Sequence, residues 1–273
     1  AAVIGGCIGT SCTSTAQKFG TIASGTMAHS FVQSFNSEYD AFKAYAEVYP
    51  DDCTLLIDTY DTINSGVVNA IKVFNDVLLP KGYRPKAVRL DSGDLAYLSK
   101  KVRKILDENG FEDCKICVSN SLDENLITSL LEQGAKIDSF GVGENLITAK
   151  SDPVFGGVYK LSAIEKNGEI IPKIKISENV AKIINPGFKK VYRFYSKETK
   201  KALADVITLH DEQIPDNNYS IFDPENPWRK KALLNYYCKP LQEQIFKNGE
   251  LVYSLPNLES ISKHCKDELN SLW

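Results

Sequence analysis

The chain has 273 residues, of which 43% are hydrophobic and 25% charged, and its formal net charge is −3 at pH 7. These values are typical of a globular protein, and the sequence has neither a basic stripe that would bind nucleic acid nor an apolar run of ~20 residues that would span a membrane. The length allows one large α/β domain or one domain with a smaller appendage.

The seven cysteines are an odd number at irregular spacing, which favours a reducing cytoplasm over a disulfide framework. Cys114 and Cys117 form a C-x-x-C within a predicted strand, where side chains three residues apart point to opposite faces. We therefore expect buried hydrophobes rather than a zinc site. The chain opens AAVIGGCIGT, without Met or a charged segment, which predicts no signal peptide and suggests that an upstream portion is absent.

Residues 1–155 alternate short apolar runs with helical patterns. About six βα units of this kind predict an α/β fold, an incomplete (β/α) barrel whose polar loops all lie at one end. A turn rich in Gly, Ser and Thr enters the first helix, and Asn36 or Ser37 caps a second helix that runs to Tyr49. The further predicted helices are Val67–Leu79, Leu95–Glu108 and Leu122–Gln133. The predicted strands are Ala2–Ile4, Thr21–Ala23, Cys53–Ile57, Ala87–Leu90, Lys115–Val118 and Ile137–Phe140.

Residues 156–273 have a different pattern and predict an appended antiparallel β-rich region. Alternating strands flank Asn167-Gly168 and Asn248-Gly249, which are strong hairpin signals. A third hairpin is predicted with its turn at Lys197–Lys201. Residues 214–230 contain three prolines and are predicted to form a loop, and a helix closes the chain.

Four polar loops follow predicted strands of the first region, where ligands are held in α/β folds. In the stretch KAVRLDSGDL, Arg89 lies within an apolar run, and a buried guanidinium needs an anionic partner. Asp91, Ser92 and Asp94 follow directly and are candidate binding residues. The alternative is a structural ion pair between Arg89 and Asp91.

Two further loops carry a histidine and paired carboxylates. His29 lies among small residues in SGTMAHS; the alternative to a functional role is a core histidine satisfied by hydrogen bonds. Asp58 and Asp61 follow the run CTLLI, and paired carboxylates suit Mg²⁺ or ribose hydroxyls. Alternatively, Asp61 or Asn64 caps the next helix.

The fourth loop, FGVGENL, places Gly141 and Gly143 after a strand, where backbone N–H groups can approach a phosphate. It fits neither the dinucleotide-binding nor the P-loop pattern, and a tight turn is the alternative. An anion-binding backbone, carboxylates, an arginine and a histidine together suit phosphoribosyl transfer. In that reaction a ring nitrogen displaces pyrophosphate at a sugar carbon of oxocarbenium character.

The motifs GTMAHS, LLIDTYDT, VRLDSGDL and FGVGENL, in this order, resemble the nicotinate phosphoribosyltransferase family, and the resemblance is clearest over residues 1–160. It implies a type II phosphoribosyltransferase with an incomplete α/β barrel that makes nicotinate mononucleotide from nicotinate and phosphoribosyl pyrophosphate. It also implies ATP hydrolysis coupled through a phosphohistidine, Mg²⁺ and ATP but no organic prosthetic group, and a homodimer of the full-length protein.

The same resemblance implies individual roles: the phosphohistidine is His29, nicotinate contacts Thr26 and Arg89, ribose or metal contacts Asp61 and Asp91, and the 5′-phosphate contacts Gly143 and Glu144. Glu144 departs from the small or hydroxyl residue common there, so its carboxylate should turn away from the phosphate. The family's N-terminal domain is not in this chain, so the chain alone should lack activity. A nicotinamide-using relative and a non-catalytic phosphate-binding fragment are the alternatives.

Overall fold

The fold is described from a computed structural model that places residues 1–176 and 183–272. The chain divides into two compact units. One is formed by Ile8–Phe155, and the other by the residues from Gly156 onward together with Val3–Cys7. Each unit has a hydrophobic core of its own.

A four-stranded parallel sheet organises the first unit, and its strands lie side by side in chain order. Arg89 pairs with Leu56 on one side and with Cys117 on the other. The first strand is buried at every residue, as expected for a parallel strand covered on both faces. The strands are β1 (Thr54–Leu56), β2 (Ala87–Leu90), β3 (Lys115–Val118) and β4 (Ser139–Phe140), and the predicted bounds of β2 and β3 are confirmed.

Helices connect these strands, and three of them begin at a capping side chain. Ser37, Asp94 and Asp123 each accept a hydrogen bond from the backbone N–H three residues further on. Such caps satisfy N–H groups that lack a partner within the helix. Of the two caps predicted for the helix Glu38–Val48, Asn36 and Ser37, the structure therefore shows Ser37. The helices are α1 (Thr13–Phe19), α2 (His29–Gln33), α3 (Glu38–Val48), α4 (Val67–Val73), α5 (Leu95–Glu108), α6 (Glu124–Glu132) and α7 (Glu144–Ile147).

The core of this unit contains aromatic rings and one of the two C-x-x-C thiols. The rings of Phe74 and Phe111 lie 5.2 Å apart and are both buried. Cys114 is fully buried, and burial raises the pKa of its thiol to about 12. Cys114 is therefore a buried hydrophobe, as predicted, while Cys117 is only partly buried.

A π-helical turn, Thr62–Gly66, precedes α4 and holds the loop after β1 against the strand. A Cβ on Gly66 would lie 1.7 Å from the carbonyl oxygen of Ile57, far inside any real contact distance. Only glycine fits at this position, so the loop that carries Asp58 is fixed by close packing.

Two strands predicted near the amino terminus are wrong. Residues Ala2–Ile4 form a turn, because Gly5 N–H donates back to Ala1 O at 2.9 Å and Gly6 adopts a φ of +111°. Residues Thr21–Ala23 contribute only an isolated parallel bridge to Thr10. The parallel sheet therefore has fewer strands than the βα pattern predicted, and the incomplete barrel stays a prediction.

The second unit is built from antiparallel pairs and a closing helix. Its hairpin turns at Asn167-Gly168 and Asn248-Gly249 have positive φ at both residues, which confirms the predicted turns. The elements are β5 (Ala163–Lys166), β6 (Glu169–Pro172), β7 (Lys189–Ser196), β8 (Ala202–Leu209), β9 (Asn218–Phe222), β10 (Lys230–Leu234), β11 (Tyr236–Pro240), β12 (Phe246–Lys247), β13 (Glu250–Leu251) and α8 (Leu258–Leu272).

The loop predicted at residues 214–230 is partly wrong, because it contains β9 and the start of β10, which pair antiparallel. The prolines lie outside β9, so they do not interrupt its hydrogen bonds. Within β9, Tyr219 stacks on Phe194 with ring centroids 5.5 Å apart. This packing against the core of Phe194, Leu233 and Tyr236 outweighs the loop signal of the flanking sequence.

Candidate active site

The carboxyl ends of β1, β2 and β3 bring polar side chains together. Asp91 and Ser119 directly follow β2 and β3, and Asp58 lies two residues beyond β1. Ser119 N–H donates to Leu90 O at 2.9 Å, so the strand pairing continues to this point. Parallel strands end at the same edge of a sheet, and the side chains converge there. These residues are called the strand-end cluster: His29, Asp58, Arg89, Asp91 and Ser119.

Asp58 is the most deeply buried member, with a side chain only 1% exposed. Its Oδ2 accepts hydrogen bonds from Asp91 N–H at 2.7 Å and from Ser92 Oγ at 2.6 Å. Its Oδ1 is buried and has no hydrogen-bond partner among the described residues. A buried carboxylate oxygen without a partner is costly, which points to a site that receives a further group.

His29 begins α2 and faces both carboxylates of the cluster. Its Nδ1 lies 3.1 Å from Thr59 Oγ1. Its Nε2 lies 3.8 Å from Asp58 Oδ1 and 3.4 Å from Asp91 Oδ2. The side chain is 36% exposed, so His29 is not a core histidine and a ligand can reach its ring.

Each nitrogen of the Arg89 guanidinium makes a hydrogen bond. Nε donates to Ser119 Oγ at 2.8 Å, Nη1 to Thr26 Oγ1 at 2.7 Å, and Nη2 to Asp91 Oδ1 at 3.1 Å. The predicted anionic partner is therefore present. The ion pair with Asp91 also exists, and it lies inside the cluster rather than apart from it.

Burial raises the pKa of Asp91, but a hydrogen bond from Ser119 and the charge of Arg89 outweigh this effect and leave the pKa below its ordinary value. Asp91 is therefore ionised at neutral pH. Its Oδ1 is held by Arg89 and Ser119, while its Oδ2 points to His29.

Asp61, three residues beyond Asp58, caps the helix that follows. Its Oδ1 accepts from the backbone N–H groups of Ile63 and Asn64, and its Oδ2 accepts from the Asn64 side chain at 2.9 Å. The backbone hydrogen bond from Asn64 is the main cause of its lowered pKa. Asp61 thus has the helix-capping role, and a ribose or metal contact of Asp61 stays a prediction. Asp58, not Asp61, faces His29.

The loop Gly141–Glu144, called the β4–α7 loop, contains two glycines with different surroundings. Gly141 N–H donates to Val118 O at 2.7 Å, so it is not available to a phosphate. In the described part of the chain, neither Gly143 N–H nor Glu144 N–H has a partner, and the Glu144 side chain is exposed. The φ of Gly143 is −107°, so this position does not need the left-handed conformation that favours glycine.

Within residues 1–176 and 183–272, no group of three or more His, Cys, Asp or Glu side chains is arranged to hold a metal ion. Mg²⁺ is usually bound through one or two carboxylates together with substrate phosphates. Two oxygens fit this role: Asp91 Oδ2 and Asp58 Oδ1, which accepts no hydrogen bond from the described residues. The residues fit a Mg²⁺ ion that arrives with a phosphate substrate, and they do not form a cage of protein ligands.

A cavity of about 440 Å³ borders the segment that precedes α2. Asp52 and Lys86, which line it, precede β1 and β2 and so lie at the amino ends of the strands. Thr26 also lines it, but no member of the strand-end cluster does. The cavity therefore meets the candidate site only through Thr26, which accepts a hydrogen bond from Arg89. No helix in the described residues is long and apolar enough to cross a membrane.

Comparison with known proteins gives the family. Residues 2–208 match the family model described as the nicotinate phosphoribosyltransferase (NAPRTase) family, and residues 188–273 match the nicotinate phosphoribosyltransferase C-terminal domain. The chain belongs to the nicotinate phosphoribosyltransferase family. The resemblance seen in the sequence motifs is thereby confirmed.

Relatives in this family share sequence across most of the chain. It is 47% identical to the nicotinate phosphoribosyltransferase of Bacillus subtilis (strain 168) over 277 residues, which cover 100% of this chain and 55% of that protein. It is 40% identical to the Caenorhabditis elegans nicotinate phosphoribosyltransferase, over 86% of this chain and 43% of that protein. The chain spans about half the length of the curated relatives it matches.

Solved structures of the family have a similar fold. The crystal structure of human nicotinic acid phosphoribosyltransferase superposes with a TM-score of 0.75 and 24% identity, covering 99% of this chain and 60% of that chain. At this identity the likeness supports the fold alone. It agrees with a parallel sheet followed by antiparallel pairs.

The structure adds three residues to the site that the sequence motifs do not assign a role: Asp58, Thr59 and Ser119. In the sequence Asp58 stands out only as one of a pair of carboxylates with Asp61. The signal that could have found Asp58 and Ser119 is their position as first polar residues after buried strands. Thr59 has no comparable signal, since its contact with His29 joins residues 30 positions apart.

Proposed function

We propose that the full-length protein containing this chain forms nicotinate mononucleotide and pyrophosphate from nicotinate and phosphoribosyl pyrophosphate, with coupled ATP hydrolysis. The observation that carries this proposal is the strand-end cluster. In it, one cation and two carboxylates surround a partly exposed histidine, in a chain of the nicotinate phosphoribosyltransferase family.

In the proposed reaction, the ring nitrogen of nicotinate forms a bond to the ribose carbon while the bond to pyrophosphate breaks, and pyrophosphate leaves with the bonding electrons. The sugar carbon becomes cationic in the transition state. Asp91, an ionised carboxylate whose pKa is held below its ordinary value, supplies negative charge that stabilises this cation. Arg89 binds the carboxylate of nicotinate, and because a neutral amide gains less from a cation, the cluster favours nicotinate over nicotinamide.

His29 is the proposed acceptor of a phosphoryl group from ATP. Thr59 engages Nδ1, which leaves Nε2 to form the N–P bond while ADP leaves. The carboxylates of Asp58 and Asp91 lie 3.8 and 3.4 Å from Nε2 and would repel a phosphoryl group held there. This repulsion would make the phosphohistidine short-lived, as a coupling intermediate must be.

The β4–α7 loop is the proposed holder of the 5′-phosphate. Gly143 and Glu144 offer backbone N–H groups, and the exposed Glu144 side chain is free to turn away from the anion. Mg²⁺ would offset the negative charge that builds up on pyrophosphate as it leaves. Asp91 or Asp58 would be its protein ligand. A homodimer and a cytoplasmic location remain predictions from the resemblance and from cysteine usage.

The test is a two-substrate assay on the full-length protein, with nicotinate or nicotinamide, phosphoribosyl pyrophosphate and Mg-ATP, and with the products identified by mass. Nicotinate mononucleotide and pyrophosphate should form, and omission of ATP should slow the reaction. Turnover of nicotinamide alone would transfer the proposal to the amide-using relative. No turnover of either ring would support a non-catalytic phosphate-binding protein.

A further inference from the structure

We propose that Ser119 is a positioning residue whose hydroxyl joins Arg89 to Asp91 and fixes both side chains for the substrate. The proposal rests on the function proposed above, because it concerns how the same site is held in shape. Ser119 does not reach the reacting atoms in this scheme. It acts through its two neighbours in the strand-end cluster.

The direction of both hydrogen bonds at Ser119 is fixed by chemistry. Oγ accepts from Arg89 Nε at 2.8 Å and donates to Asp91 Oδ1. A guanidinium can only donate, and an ionised carboxylate can only accept. The single hydroxyl proton must therefore point to Asp91, and the lone pairs must face Arg89. An alanine at this position removes both bonds at once.

The backbone around Ser119 is held tightly enough to make such positioning effective. The residue is only 8% exposed, and its N–H donates to Leu90 O at 2.9 Å. A Cβ on Gly141 would lie 3.3 Å from Ser119 Cβ, so glycine at position 141 leaves the room that Ser119 occupies. Gly141 thus supports the strand-end cluster, whereas its N–H is already taken by Val118 O.

The orientation of Arg89 depends on three anchors. Thr26 holds Nη1, Asp91 holds Nη2, and Ser119 holds Nε. Within the described structure, one N–H of Nη2 makes no hydrogen bond and is left for a substrate carboxylate. Loss of the Nε anchor lets the planar fork rotate, and a side chain that must first be reoriented binds its ligand more weakly.

The experiment compares three variants of the full-length enzyme. Ser119→Ala should raise the KM for nicotinate by about tenfold, with a smaller change in kcat, because Arg89 binds nicotinate but is not consumed in the reaction. Ser119→Thr keeps the hydroxyl and should restore most of the affinity. Ser99→Ala is the matched control, since Ser99 is also buried and its hydroxyl donates to Ala96 O, away from Arg89. It should change stability but not the KM.

A double-mutant cycle separates positioning from a general loss of structure. In the Arg89→Lys background there is no Nε to hold, so Ser119→Ala should have a markedly smaller effect on the KM than in the wild type. An equal effect in both backgrounds, or equal KM values for Ser119→Ala and Ser99→Ala, would overturn the proposal.

A readout without catalysis distinguishes the failure of this proposal from the failure of the proposed function. If the wild type does not turn over nicotinate, the function is wrong, but the hydrogen bond can still be measured by NMR. The Nε proton of Arg89 should exchange slowly with solvent in the wild type and in Ser99→Ala, and faster in Ser119→Ala. Unchanged protection in Ser119→Ala would show that Ser119 does not hold Arg89.

Discussion

The strand-end cluster and the β4–α7 loop use opposite means to meet a ligand. In the cluster, Arg89, Asp91 and Ser119 are joined by hydrogen bonds to one another, and Asp58 is tied to the backbone of Asp91. In the described loop, the N–H groups of Gly143 and Glu144 have no partner, and nothing lies within 4 Å of where a Gly143 Cβ would be.

The difference indicates what each region does. Side chains that are already oriented can stabilise charge that develops during a reaction without reorganising. Open backbone N–H groups suit an anion that arrives and leaves with the substrate. Changes in the cluster should therefore affect chemistry and recognition of the ring, while changes in the loop should affect only the phosphate-bearing substrate.

The largest expected effect comes from removing His29, the proposed phosphoryl acceptor of the strand-end cluster. In full-length enzyme, His29→Ala should abolish stimulation by ATP entirely and leave slow ATP-independent synthesis, because the proposed phosphoryl acceptor is gone. Initial rates with and without ATP measure this. His210→Ala, in the second unit, is the control and should retain stimulation. Acid-labile phosphate on the His29→Ala protein would show that another residue carries the group.

The second largest effect is expected from a change in the packing of Gly66 against Ile57, beside the strand-end cluster. Gly66→Ala places a Cβ 1.7 Å from Ile57 O, next to Asp58, and should lower the free energy of unfolding by about 3 kcal/mol or more. Urea denaturation measures this change. Gly143→Ala, where a Cβ meets nothing within 4 Å, should change the same quantity by less than about 0.5 kcal/mol. Equal losses would mean that the two regions do not differ in packing.

The third effect tests whether the Arg89 guanidinium binds nicotinate. Arg89→Lys keeps the charge but loses the fork that contacts Ser119, Thr26 and Asp91, so the KM for nicotinate should rise by at least about tenfold, or ~1.4 kcal/mol. Steady-state kinetics at saturating phosphoribosyl pyrophosphate measure this. An unchanged KM together with a lower midpoint of unfolding would reduce Arg89 to a structural ion-pair partner.

The sequence predicts an element well when neighbouring residues in the chain determine it, and poorly when contacts between distant residues do. The bounds of β2, α5 and β3 follow from local patterns of apolar residues and caps, and the structure confirms them. The strand predicted at Thr21–Ala23 failed because pairing depends on a partner distant in the chain. The hairpin of β9 and β10 was missed because its packing on Phe194 is not visible in a proline-rich segment.

The candidate site shows the same limit. Arg89 and Asp91 were found because charge in or beside a buried strand is unusual. Asp58 and Asp61 look alike in the sequence, but one is buried beside His29 and the other caps a helix. The cap can be proposed from the local sequence, but the burial of Asp58 depends on residues far away in the chain, so only the structure shows which carboxylate faces His29.

The smallest expected effect belongs to the β4–α7 loop. Gly143→Val should weaken phosphoribosyl pyrophosphate binding severalfold, about 1 kcal/mol, with little change in nicotinate affinity or global stability. The reason is bulk beside the open N–H groups, since the φ of −107° does not itself demand glycine. Calorimetric titration with each substrate measures the two affinities. Crystals soaked in sulfate should show an anion ~3 Å from the N–H groups of Gly143 and Glu144, with the Glu144 carboxylate turned away. An anion bound only beside His29 would move the 5′-phosphate to the strand-end cluster and remove the contrast between the two regions.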